Sequence, residues 1–113
     1  MHELSIATSI LKTAEAEVEK IKGKKVTEIF LEIGKISGVE ISSLEFVWDS
    51  CMKNTVLDGA KVHIAEPEGF ARCAECDHEF KITKIYDSCE RCGSPFKEVV
   101  TGKEMKVKKL III

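Results

Sequence analysis

Two Cys-x-x-Cys pairs, Cys73-Ala74-Glu75-Cys76 and Cys89-Glu90-Arg91-Cys92, are separated by twelve residues and constrain this chain more than any other feature. Each pair delivers two sulfurs from one tight turn, and four thiolates gathered this way close a tetrahedron around one metal ion. The spacing suits a knuckle, a hairpin and a second knuckle, and Gly93-Ser94-Pro95 supplies a turn after the second. Four bound sulfurs leave no open position for a substrate, so such a site stabilises a fold. Any activity must lie elsewhere in the chain.

At 113 residues there is room for one ordinary domain or two very small ones. The charged fraction of 32% and hydrophobic fraction of 44% describe a soluble globular protein. Net charge is −2, so no global field favours nucleic acid or an acidic membrane. Within 70–100, Arg72, Lys81, Lys84, Arg91 and Lys97 are outnumbered by Glu75, Asp77, Glu79, Asp87, Glu90 and Glu98, a poor footprint for phosphate. The opening Met1-His2-Glu3-Leu4-Ser5 lacks the basic and apolar regions of a secretory signal, and the terminal Leu110-Ile111-Ile112-Ile113 is far too short to span a membrane. Five cysteines, four of them with metal-ligand spacing, point to a reducing cytoplasm.

Leu4, Ala7, Leu11, Ala14, Val18 and Ile21 recur at helical spacing, opposite Lys12, Glu15, Glu19 and Lys22, and Gly23 is a natural stop. Val26 to Ile33 reads as a strand with Thr27, Ile29, Leu31 and Ile33 on one face. Ser42 or Ser43 is placed to cap a second helix carrying Leu44, Val47, Trp48 and Cys51, with Glu45 completing a capping box. Lys61 to Ala65 is a second strand, and Met105, Val107 and the closing isoleucines form a third. The order predicts an α+β fold: a small three-stranded sheet with two helices, plus an inserted zinc-ribbon-like module. The expected division is 1–69 with 101–113 for the helix-and-sheet domain and 70–100 for the metal domain. A module of that size buries too little surface to fold without its metal.

His2 stands beside the amino terminus. Where Met1 carries a free amine, that amine, the His2 backbone nitrogen and the His2 imidazole form fused chelate rings, and Glu3 adds a fourth donor through its backbone or side chain. Nitrogen donors in a plane favour Ni(II) or Cu(II) over tetrahedral Zn(II). The bland alternative is an exposed, frayed terminus.

The opening Met1-His2-Glu3-Leu4-Ser5-Ile6 resembles the amino terminus of the HypA family, the nickel-insertion proteins of hydrogenase maturation. Leu31-Glu32-Ile33-Gly34, Glu66-Pro67 and the paired Cys-x-x-Cys motifs extend the resemblance over essentially the whole chain, while the short isoleucine-rich tail departs from it without touching a motif. The resemblance implies a metallochaperone, not an enzyme, with a transient Ni(II) site at Met1, His2 and Glu3 in which His2 is indispensable. It implies a structural Zn(II) held by Cys73, Cys76, Cys89 and Cys92. The partners implied are the HypB GTPase and the large subunit of a [NiFe]-hydrogenase; in some organisms the family also supplies urease. We expect no nucleic acid or membrane partner, and a monomer or weak homodimer.

Among the remaining residues, Cys51 reads as a buried inert thiol, Trp48 and Phe46 as core, and His63 and His78 as packing or surface histidines, the alternative for each being an auxiliary metal role. Two other functions use the same cysteines. A zinc-ribbon nucleic-acid module is opposed by the near-neutral knuckles and the lack of aromatics interleaved with basic residues. An iron-sulfur electron carrier of the rubredoxin type would show itself by colour and redox activity.

Overall fold

The computed structural model describes residues 3–113. In chain order the elements are helix α1 (Glu3–Lys20), strand β1 (Val26–Ile33), helix α2 (Ile41–Met52) and strands β2 (Lys61–Ala65), β3 (Gly69–Cys73), β4 (Glu79–Ile82), β5 (Lys97–Thr101) and β6 (Met105–Ile112). The strands form two three-stranded sheets, ordered β2-β1-β6 and β4-β3-β5. The expected α+β architecture is present, with the last strand returning to β1 and the cysteine-bearing sheet inserted before it.

The chain divides into two compact units. The first runs through Leu31 and adds Val39–Ile64 and Lys106–Ile113; the second is Glu32–Gly38 with Ala65–Met105. The cysteine-bearing unit is therefore wider than 70–100. Backbone hydrogen bonds explain why: Gly34 N–H donates to Glu104 O (2.8 Å), Lys35 N–H to Pro67 O (2.9 Å) and Ile36 N–H to Gly102 O (2.9 Å). A Cβ on Gly34 would collide with the Gly102 carbonyl, and one on Gly102 would lie 2.6 Å from Gly69 Cα. Gly102 also has φ +105°, which L side chains rarely adopt.

In the first unit α1 packs on α2. The buried residues of α1 are Ile6, Ala7, Ile10, Ala14 and Val18. Part of the expected stripe is corrected: Leu4 and Ile21 are more than half exposed, and Ile6 and Ile10 are buried in their stead. The apolar arc is broad enough for either row to face inward, and packing chose between them. The helix stop also differs. Lys22 takes the left-handed conformation (φ 55°), Lys22 N–H donates to Glu19 O (3.1 Å) and Gly23 N–H reaches back to Val18 O (2.8 Å), the paired bonds of a Schellman end.

Helix α2 buries Leu44, Trp48 and Met52, one turn apart. Phe46, read above as core, is 86% exposed, because it lies two residues from both Leu44 and Trp48 and so points away from their row. Cys51 is half-buried, not enclosed. The expected serine cap is absent: the cap falls two residues before Ser42, on Glu40, which is in extended conformation and makes no side-chain cap bond. In β1 the burial of Ile29, Leu31 and Ile33 follows the alternation seen in the sequence.

Candidate metal centres

The cysteine cluster is built from one sheet and two turns. In β3, Gly69, Ala71 and Cys73 are buried while Phe70 and Arg72 face out. Pairing sets Ala71 opposite Phe80 of β4 and Val99 of β5, which aligns the small core of Ala71, Cys73, Phe80, Ile82 and Cys89. Cys73 ends β3, so the first knuckle grows directly from a fixed strand.

The two knuckles repeat the same bonds. Cys73 N–H donates to His78 O (2.9 Å) and Asp77 N–H to Cys73 O (3.0 Å); Cys89 N–H donates to Ser94 O (2.9 Å) and Gly93 N–H to Cys89 O (2.8 Å). Glu75 N–H points at Cys73 Sγ and Arg91 N–H at Cys89 Sγ, both at 3.4 Å. The residue after each pair is left-handed, Asp77 at φ 60° and Gly93 at φ 77°. Sequence reasoning missed the equivalence of Asp77 and Gly93. The signal was there, since Asp tolerates that conformation better than most residues.

The four sulfurs lie within 4.8 Å of one another, with Cys73 Sγ 3.5 Å from Cys92 Sγ and Cys76 Sγ 3.7 Å from Cys89 Sγ. A tetrahedron of sulfurs about 2.3 Å from a central ion has edges of about 3.8 Å, so two of the edges already match it and the rest lie within about an ångström of it. Burial pushes the Cys89 thiol up, but the N–H groups of Cys92 and Arg91 and the thiols of Cys76 and Cys92 outweigh it and bring it to about 6. Cys73 is lowered by the N–H groups of Cys76 and Glu75 against its burial. For Cys76 the N–H of His78 favours the thiolate, but burial and the Cys73 and Cys89 sulfurs together raise it. For Cys92 the Ser94 N–H favours the thiolate, but the neighbouring sulfurs and burial push it to about 12. The first cysteine of each knuckle is thus shifted down and the second up. A dication held by these four residues would supply the charge that lets all of them bind as thiolates.

Among the described residues these four cysteines are the one group of three or more Cys, His, Asp or Glu close enough to share an ion. His63 instead stacks on Phe30, ring centroids 4.4 Å apart, and pairs with Glu28 at 2.9 Å. His78 pairs with Glu90 of the second knuckle at 3.0 Å.

Of the predicted nickel residues, Met1 and His2 lie outside the described residues. Glu3 opens α1 and is half-buried. Its Oε2 accepts from the Glu40 N–H at 3.4 Å, so the start of α1 meets the start of α2. Sequence reasoning did not single out Glu40; thirty-seven residues separate the pair and only folding brings them together.

A family model described as hydrogenase/urease nickel incorporation, metallochaperone, matches residues 1–112. The chain belongs to the HypA family. It is 38% identical over 111 residues to the hydrogenase maturation factor HypA of Francisella philomiragia, covering 98% of both chains. It is 39% identical over 112 residues to HypA of Parabacteroides distasonis, covering 99% of this chain and 97% of that one. The solution structure of the Ni metallochaperone HypA from Helicobacter pylori superposes with a TM-score of 0.75 at 25% identity, covering 100% of this chain and 98% of that one. HypA proteins are metallochaperones of hydrogenase maturation and not enzymes. Among the described residues no helix is long and apolar enough to cross a membrane.

Proposed function

We propose that this protein binds Ni(II) at its amino terminus through Met1, His2 and Glu3 and delivers it during [NiFe]-hydrogenase maturation, whether to hydrogenase alone or to urease as well, the two acceptors that the family description names. The observation that carries this reading is the family match, which begins at residue 1 and so includes all three residues. The placement of Glu3 in the first turn of α1, touching Glu40, is consistent with a site anchored on one side by folded structure. Weak, exchangeable binding suits a cargo: protonating an amine or imidazole releases the ion, and few constraints hold it. The HypB GTPase and the hydrogenase large subunit are the partners in this reading, and the cytoplasm is the compartment.

Zn(II) is the ion we assign to Cys73, Cys76, Cys89 and Cys92, where its role is structural. The tetrahedral, all-sulfur donor set suits Zn(II) and does not suit planar Ni(II). In this reading the work is divided, nickel handled within 1–69 and 101–113 and zinc within 70–100, in a protein that is a monomer or weak homodimer.

Nickel titration of protein with its native start tests the proposal. His2→Ala should abolish specific nickel binding with zinc content and folding unchanged. Placing one glycine before Met1 should weaken it as well, because a basic amine becomes an amide that must lose a proton to coordinate. Equal affinity and the same nickel spectrum in all three proteins would refute the terminal site.

A further inference from the structure

In the first unit, a groove of about 290 Å³ lies between α2 and β2. Its apolar lining is Leu31, Leu44, Trp48, Val62 and Ile64, and Glu45 and Asp49 of α2 line it as well. That volume falls just below the range of about 300–1,000 Å³ in which proteins hold drug-sized ligands, yet it admits an apolar side chain. Strand β2 is an outer strand of its sheet; among the described residues it pairs with β1 alone. Its far edge therefore presents backbone donors and acceptors beside an apolar slot.

The charge at the groove is one-sided. Glu45 and Asp49 are exposed, one helical turn apart, and α2 contains no basic residue. No ion pair of the described residues engages either carboxylate. Two uncompensated anions beside apolar surface favour an incoming cation whose stem is also apolar, which describes Lys and Arg.

We propose that β2 and this groove receive an extended basic segment of a partner protein, one that carries an apolar residue with Lys or Arg two positions away. Alternate residues of a strand lie on one face about 6.7 Å apart. Glu45 and Asp49, four residues apart on a helix, are separated by about 6 Å along its axis. An added strand that seats its apolar side chain against Trp48, Val62 and Ile64 carries one cation about 6.7 Å away on the same face, where the two neighbouring carboxylates offer it a choice of partner. Main-chain bonds to the edge of β2 supply affinity, and the groove with its anions supplies selectivity. The inference stands on the groove and the sheet edge and is independent of where nickel binds.

The test uses the full zinc-loaded chain, isotope-labelled for NMR, and two hexapeptides, acetyl-Lys-Thr-Leu-Thr-Lys-Thr-amide and its counterpart with both lysines replaced by glutamates. The basic peptide should shift the Trp48 indole resonance and slow amide exchange in Lys61–Ala65, and the acidic one should bind at least tenfold more weakly. The double charge reversal E45K/D49K should invert that preference with zinc content and circular dichroism unchanged. Should the reversal misfold, E45Q/D49N removes the charges at constant shape and should abolish the preference. Absence of binding, equal affinity for both peptides, or a response confined to other residues overturns the proposal. So does concentration-dependent protection of Lys61–Ala65 without peptide, which would assign the edge to a second copy of this chain.

Discussion

Removing the metal from the four-cysteine site should melt the second unit and leave the first folded. The buried cluster around the cysteines is Ala71, Cys73, Phe80, Ile82 and Cys89, so two of its five residues belong to the candidate metal site. Without metal the large buried apolar contributors of this cluster are Phe80 and Ile82, at about 1.5–3 kcal/mol each, with Ile36 and Val99 only partly buried against them. Structural zinc in small modules contributes an apparent ~10–16 kcal/mol at neutral pH, as much as or more than the ~5–15 kcal/mol that holds a typical domain together. The first unit keeps its own core of Ile6, Ile10, Val18, Ile29, Leu31, Leu44, Trp48 and Met52, none of them a metal ligand. Hydrogen exchange on protein stripped with a chelator under reducing conditions is the assay. Amides of β3, β4 and β5 should lose protection by orders of magnitude, while those of α1, α2 and the middle of β1 should keep most of theirs. Protection lost equally in both units, or retained in β3 and β4, would refute the argument that the metal carries the second unit.

Gly102→Ala should cost the second unit more than ~2 kcal/mol, since it adds a clash with Gly69 to an unfavourable φ, whereas Gly59→Ala (φ +75°, open space around it) should cost only ~1–2 kcal/mol; denaturant midpoints compare them. Trp48→Ala should destabilise by ~3–5 kcal/mol and Phe46→Ser by less than ~0.5 kcal/mol, a contrast that thermal melts at equal zinc content will read. The Asp87 carboxylate accepts from the Thr83 and Lys84 N–H groups (2.9 and 3.1 Å), which together hold it below the ordinary 3.8. Its stabilisation of the 83–87 turn is thus present above that value and lost as the pH falls through the lowered one, so amide exchange at Thr83 and Lys84, corrected for intrinsic rates, should accelerate at the acid end. Asp87→Ala should show the faster exchange at every pH.

Much of this protein follows from local pattern. The two cysteine pairs specify their own turns, since each knuckle is closed by hydrogen bonds within six residues, and the alternation from Ile29 to Ile33 buries one face of a strand, although Val26 at its start is buried as well. Even the left-handed residue after each pair is written locally, as Asp77 and Gly93. What spacing could not settle was which of two overlapping apolar rows on α1 faces inward, because Leu4, Ile6, Ile10, Leu11 and Ile21 all satisfy helical periodicity and neighbouring elements choose among them. The same holds for α2, where Phe46 and Trp48 are equally apolar and one turn of helix geometry buries only Trp48.

The long-range placements belong to the tertiary structure alone. Gly34, Gly69 and Gly102 are far apart in the chain and become one site of backbone contact only when strands from three segments converge. Glu40 meets Glu3 because α1 and α2 pack together, and no local signal marks that meeting. The amino acid sequence by itself determined the metal knuckles, the two helices, strands β1, β2 and β6 and the family, because each rests on residues close in the chain or on order along it, whereas strands β3, β4 and β5 emerged only with the fold. Which side chains are buried, which backbones touch, and which groove is left lined by two carboxylates without an ion-pair partner among the described residues depend on packing among distant segments, and packing is a property of the folded whole.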